Sequence, residues 1–108
     1  MVAYTERVFD ALGDPTRRLV LARLRSGARA VGEIAAGMDV SRPAVSQHLK
    51  VLESARLVTA HAEGTRRLYA INTRGIEAAR KWLDGFWDEA LDAFKAAAER
   101  EVAEARKP

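Results

Sequence analysis

A chain of 108 residues with a formal charge of +3, 48% hydrophobic and 31% charged, has the profile of one soluble globular domain, neither disordered nor membrane-like. With no cysteine and only His48 and His61 as histidines, disulfides, thiolate metal sites and a cysteine nucleophile are excluded. No apolar run approaches the ~20 residues that span a bilayer, and the amino terminus lacks the apolar stretch of a signal peptide, so the cytoplasm is the expected compartment.

Along the chain, Tyr4 to Leu12 places Val8, Phe9 and Leu12 on one side of a first helix. Asp14-Pro15-Thr16 then reads as a new helix start: Asp14 can cap free N–H groups, and Pro15 at the first position sacrifices no hydrogen bond. Leu19, Val20, Leu21 and Leu24 give that second helix a broad apolar side, up to Ser26-Gly27. A short third helix over 31–36 is stopped by Gly37. Ser41 caps a fourth, running to about Ser54, in which Pro43 is tolerated because it lies in the first turn. Residues 57–62 and 67–71 are short strands flanking a Glu63-Gly64-Thr65-Arg66 turn, a β-hairpin. From Thr73 a helical period returns: Ile76, Ala79, Leu83, Phe86, Ala90, Phe94 and Ala97 recur at intervals of three and four. Gly85 interrupts it, as a bend or a place of close approach by another helix.

The predicted fold is therefore mainly α with a two-stranded β-hairpin: a winged helix-turn-helix in the order α-α-α-α-β-β-α, a single domain over 1–108. The helix-turn-helix occupies about 31–54, the wing about 57–71 and the last helix about 73–105. Two short helices joined by a tight turn present the second to the major groove of DNA when one side is anchored and the other bears hydrogen-bonding groups. Ile34, Met38, Val40, Val45 and Leu49 can anchor the pair, and Ala35 is small enough for close approach. On the outer side, Gln47 suits adenine N6 and N7, and Arg42 suits guanine O6 and N7. Ser46 and Lys50 suit base edges or phosphates, Pro43 lies in the same exposed turn, and His48 sits between core and outer sides. Arg66 and Arg67 beside the hairpin turn are where a wing would reach the flanking backbone. Residues 1–72 hold 11 basic against 7 acidic residues, an excess placed where phosphate contact is expected.

At these residues the chain resembles a known family. Leu12-Gly13-Asp14-Pro15-Thr16-Arg17-Arg18, the stretch Ser41-Arg42-Pro43-Ala44-Val45-Ser46-Gln47-His48-Leu49-Lys50, and Ala55-Arg56-Leu57-Val58 followed by Gly64-Thr65-Arg66-Arg67-Leu68-Tyr69 are similar to the ArsR/SmtB (arsenic-repressor) family of winged-helix regulators. The resemblance covers roughly residues 5 to 95. It implies a homodimer that binds double-stranded, partly palindromic operator DNA, often at its own promoter, and releases it when an effector binds. It also implies a dimer built from the first and last helices. Metal-sensing members carry cysteines in the third helix, or His and carboxylate ligands in the first or last. Here the third helix reads Val31-Gly32-Glu33-Ile34-Ala35-Ala36 and the last has no histidine, so no metal and no cofactor are expected. The Trp82-Leu83-Asp84-Gly85-Phe86-Trp87 pattern is similar to the subgroup without metal sites.

Glu33, Asp39 and Glu53 are acids without an accompanying nucleophile, phosphate loop or paired carboxylate, so an enzyme is not expected. The last helix is long for what remains of a 108-residue chain to pack against. Its seam, with Leu83, Phe86, Trp87, Leu91 and Phe94, is expected to join Val8, Phe9 and Leu12 in a dimer interface. An effector pocket along the same residues is a weaker addition. Two other readings stay open: a winged-helix protein-interaction module, and a sensor with an unrecognised ligand site.

Overall fold

The computed structural model describes residues 2–107; Met1 and Pro108, within the expected domain bounds, lie outside them. Among the described residues, five helices and three strands follow in the order α1 (Val2–Leu12), α2 (Pro15–Arg23), β1 (Arg29–Ala30), α3 (Val31–Ala35), α4 (Arg42–Ser54), β2 (Val58–Glu63), β3 (Arg66–Ile71) and α5 (Thr73–Ala105). The chain divides into two compact units, Met1–Glu77 and Ala78–Pro108, and α5 runs through the boundary.

The expected hairpin of β2 and β3 is present, and a third strand not foreseen from the sequence extends it, so the sheet is antiparallel in the order β1-β3-β2. Arg29 pairs with Tyr69 and Ala30 with Leu68, so β1 occupies the side of β3 that the hairpin leaves open. A two-residue strand is too short to show an alternating pattern in sequence.

In the first unit the core is aliphatic. Val8, Ala11, Val20, Leu24, Ile34, Val45, Leu49, Leu52, Leu57 and Val58 are all buried, with Tyr69 closing it from the sheet. Of the apolar side expected for α2, Val20 and Leu24 are buried while Leu19 stays exposed. Asp14 caps α2, its carboxylate accepting from the N–H groups of Thr16 (2.7 Å) and Arg17 (3.2 Å).

Three arginines of α2 are spent on helix ends. Arg17 Nε donates to the carbonyl of Ala11 (2.8 Å) and Arg18 Nη1 to that of Leu12 (2.7 Å). Arg23 Nη1 donates to the carbonyls of Ile34 (3.2 Å) and Ala36 at the end of α3. These carbonyls have no partner within their own helices, and a guanidinium supplies one.

The start of α5 is fixed against the end of α4. Arg56 turns the chain in a left-handed conformation (φ 61°), and its carbonyl accepts from the side-chain amide of Asn72 (2.9 Å). Asn72 N–H donates to the carbonyl of Leu57 (2.9 Å). Gly75, in the first turn of α5, lies so close to the Arg56 carbonyl that a Cβ there would overlap it.

The second unit is helical up to Ala105, and Arg106 and Lys107 lie beyond the helix. Its large apolar side chains, Trp82, Leu83, Phe86, Trp87, Leu91, Phe94 and Val102, are exposed. The helix continues through Gly85 without a break, and a Cβ there would meet nothing within 4 Å.

Candidate nucleic-acid interface

The turn from α3 to α4 begins where Ile34 and Ala35 end the first helix and Met38 N–H donates to the carbonyl of Ala35 (3.0 Å). Gly37 takes φ +75°, a region that glycine enters without a Cβ penalty, and this lets the chain reverse. Ser41 then caps α4, its hydroxyl accepting from Ala44 N–H (3.3 Å), with Pro43 in the first turn. Val45, Leu49 and Leu52 are fully buried at positions i, i+4 and i+7, fixing the rotation of α4 about its axis.

That rotation decides which side chains remain outside. Arg42, Pro43, Gln47 and Lys50 are exposed; Ser46 and His48 are half-buried. Gln47 and Lys50 face away from the buried seam. Arg42 instead lays its guanidinium over Gly32 of α3, where a Cβ would collide with it. His48 lies within electrostatic reach of Asp14. The N–H of Arg17 holds the Asp14 carboxyl below its ordinary value against an opposing desolvation, and Thr16 N–H and the charges of Arg17 and His48 add to that.

The wing joins β2 and β3 through Gly64-Thr65, with Glu63 opposite Arg66 and Ala62 opposite Arg67. Both wing arginines already have contacts within the protein. Arg66 Nη2 pairs with Glu33 Oε1 of α3, and the Arg67 guanidinium lies 5.9 Å from the centre of the Tyr69 ring. Glu33 Oε1 also accepts from Ala30 N–H (3.0 Å) at the start of α3. That backbone N–H is the main reason its carboxyl lies below the ordinary value of 4.5; desolvation opposes it, while Arg66 and Arg29 reinforce it.

Glu33 is thus a tie between the helix-turn-helix and the wing, a part that sequence reasoning did not assign. A signal existed: Glu33 stands three residues after the helix-start residue Ala30, the spacing of a capping box. Alanine has no side-chain oxygen to complete the box, which hides it. Four arginines of the basic excess expected at phosphate, Arg17, Arg18, Arg23 and Arg29, are engaged within the protein. The first three hold carbonyls, and Arg29 Nη2 donates to Ser26 Oγ (2.8 Å).

Of the residues expected at a dimer seam, Leu83, Phe86, Trp87, Leu91 and Phe94 are exposed, Trp87 at 64% and Phe94 at 74%. Trp82 and Phe86 meet edge to face with ring centroids 4.5 Å apart. Val8 departs from the expectation. At 1% exposure it is packed inside its own protomer, because position 8 falls on the side of α1 that faces the core, and no side chain remains there for a second copy. Phe9 and Leu12 are half-buried.

Residues 14–60 match the family model described as bacterial regulatory protein, arsR family. Over 89 residues the chain is 52% identical to the HTH-type transcriptional regulator Rv2034 of Mycobacterium tuberculosis, spanning 82% of this chain and 83% of that protein. It is 35% identical to the transcriptional repressor SdpR of Bacillus subtilis, over 73% of this chain and 88% of that one. Its fold is similar to the solution structure of the homodimeric winged helix-turn-helix DNA-binding domain of Mb0332 from Mycobacterium bovis. That match has a TM-score of 0.65 and 34% identity, and covers 85% of each chain.

Proposed function

We propose that this chain, which belongs to the arsR family of bacterial regulatory proteins, represses transcription as a homodimer seated on a partly palindromic operator. It is a DNA-binding transcriptional regulator with a winged helix-turn-helix fold. The family consists of regulatory proteins, and occupancy of the operator rather than catalysis is the proposed action. Among the described residues, no helix is long and apolar enough to cross a membrane.

One observation carries the reading: α4 is clamped by three fully buried side chains, while Gln47 and Lys50 face away from that seam. A helix held this way can enter the major groove without losing its place in the core. Gln47 would take an adenine edge, with Arg42, Ser46 and Lys50 on neighbouring bases or phosphates. Pro43 and His48 flank the same surface. Arg42 would leave Gly32 to reach DNA. Arg66 and Arg67 would meet the flanking backbone from the wing, with Glu33 holding Arg66 in place until they do.

A homodimer would place two copies of α4 in successive major grooves, with half-sites about one helical turn apart. The exposed aromatic side chains of α5 support this, since a second copy would cover them. Leu83, Phe86, Trp87, Leu91 and Phe94 would form its centre, and Phe9 and Leu12 are what α1 can still contribute. Repression would follow from occlusion of the promoter, the protein's own among them.

The test is fluorescence anisotropy of the protein with its upstream region and with scrambled DNA over a salt series. Preference for the upstream DNA with affinity falling steeply with salt supports the reading. Gln47→Ala should cost about 1–3 kcal/mol of operator affinity and relax base preference at one position. Unchanged affinity and preference would remove Gln47 from base recognition.

A further inference from the structure

Between α1 and α4, within residues 1–77, lies an open cleft of about 350 Å³. The recognition helix lines it with Gln47, Lys50, Val51 and Ser54, and Ala55 follows at the helix end. From the other side α1 supplies Arg7 and Asp10.

Val51 is the residue for which DNA recognition gives no account. It is 40% exposed, and in the first unit only Leu19 shares that condition among the described large apolar side chains. It makes the apolar floor of the cleft on a helix whose outer side is otherwise polar, with the buried Ala55 at the bottom beside it. The rim is charged: the Arg7 and Lys50 side chains make no hydrogen bond or ion pair among the described residues, and Asp10 is the one carboxylate among the lining residues. A small-molecule site commonly has this volume and this form, an apolar lining with a few convergent polar groups.

We propose that this cleft binds a small monocarboxylate with a short aliphatic body, and that the ligand displaces DNA by occupying the recognition helix itself. The aliphatic part would rest on Val51 and Ala55, and the carboxylate would take the Arg7 guanidinium and the Lys50 ammonium in charge-assisted hydrogen bonds. Two cations against Asp10 leave one net positive charge, which fits a monocarboxylate better than a more highly charged phosphate. Gln47 and Lys50 would serve the ligand and the DNA in turn, so the two exclude one another. The regulatory half of this proposal rests on the DNA-binding reading above; occupancy of the cleft does not.

Hexanoate and hexanol are the probes, titrated into the full chain at matched ionic strength while amide NMR shifts are followed. Hexanoate should move amides of residues 47–55 and 7–10, with hexanol about tenfold weaker for want of the charge-assisted bonds. Arg7→Ala should erase most of that difference between the probes. Val51→Gln should lose hexanoate while still binding the operator. In the anisotropy assay, hexanoate at about ten times its own dissociation constant should weaken operator binding about tenfold by mass action. An absence of shifts, or shifts confined to other residues, overturns the site. Shifts in the cleft with undiminished operator affinity overturn the displacement mechanism. If the protein without hexanoate fails to bind the operator, the functional reading fails, and the amide shifts still decide whether the cleft is a site.

Discussion

Helices α4 and α5 carry similar apolar periodicity but end in opposite circumstances. In its 13 residues α4 buries Val45, Leu49 and Leu52 completely, whereas α5, with 33 residues, buries Gly75 near its start. Its aromatic side chains remain in solvent. Periodicity records that a helix has an apolar face; it does not record what covers that face. For α4 the cover is the chain's own core. For α5 it is, on the proposal above, a second copy.

Cutting one anchor in each helix separates the two cases. Leu49→Ala removes a fully buried side chain and should destabilise the protein by about 2–5 kcal/mol, seen as a lowered denaturation midpoint in urea. A loss well under 1 kcal/mol would mean that α4 is not held as described. Gly75→Ala comes next, at about 3 kcal/mol, since the added methyl would meet the Arg56 carbonyl and the backbone must move to relieve it. An unaltered melting curve would show that the joint between α4 and α5 gives way freely.

Trp87→Glu tests the other side. It should leave the protomer folded and cost about 2 kcal/mol or more of association, so that sedimentation shows monomers where the parent dimerises. Persistence of the dimer would move the interface away from Trp87. The smallest effect concerns the wing. The Glu33 carboxyl lies below its ordinary value, so its contribution is present above about pH 4.5 and is lost as pH falls through its lowered value in the folded protein. Amide protection factors at the start of α3 and at Arg66, which divide out the intrinsic pH dependence of exchange, should fall on acidification below that point in the parent, and Glu33→Gln should show that lower protection and faster exchange already at neutral pH. Equal exchange in parent and variant at neutral pH would dissolve the tie.

Much of the architecture was legible because it is written in local chemistry. Asp14-Pro15 and Ser41 mark helix starts through hydrogen bonds made within three residues, and both caps form where expected. Gly37 and the Gly64-Thr65 loop mark reversals for equally local reasons. The outward set on α4 followed from counting around the helix from Val45, Leu49 and Leu52. What stayed hidden depended on partners distant in the chain. β1 exists because Arg29 and Ala30 meet Tyr69 and Leu68, some forty residues on.

Helix starts, the direction α4 faces and the apolar stripe along α5 are readable from the amino-acid order, because caps, turns and periodicity are short-range. How individual charges and apolar groups are used depends instead on the folded arrangement. Arg17, Arg18 and Arg23 hold helix-end carbonyls, Arg66 is tied to Glu33, and Val8 is enclosed by its own protomer. A charge count or a helical wheel cannot separate a guanidinium facing water from one facing a carbonyl. That difference is set by which segments the fold brings together.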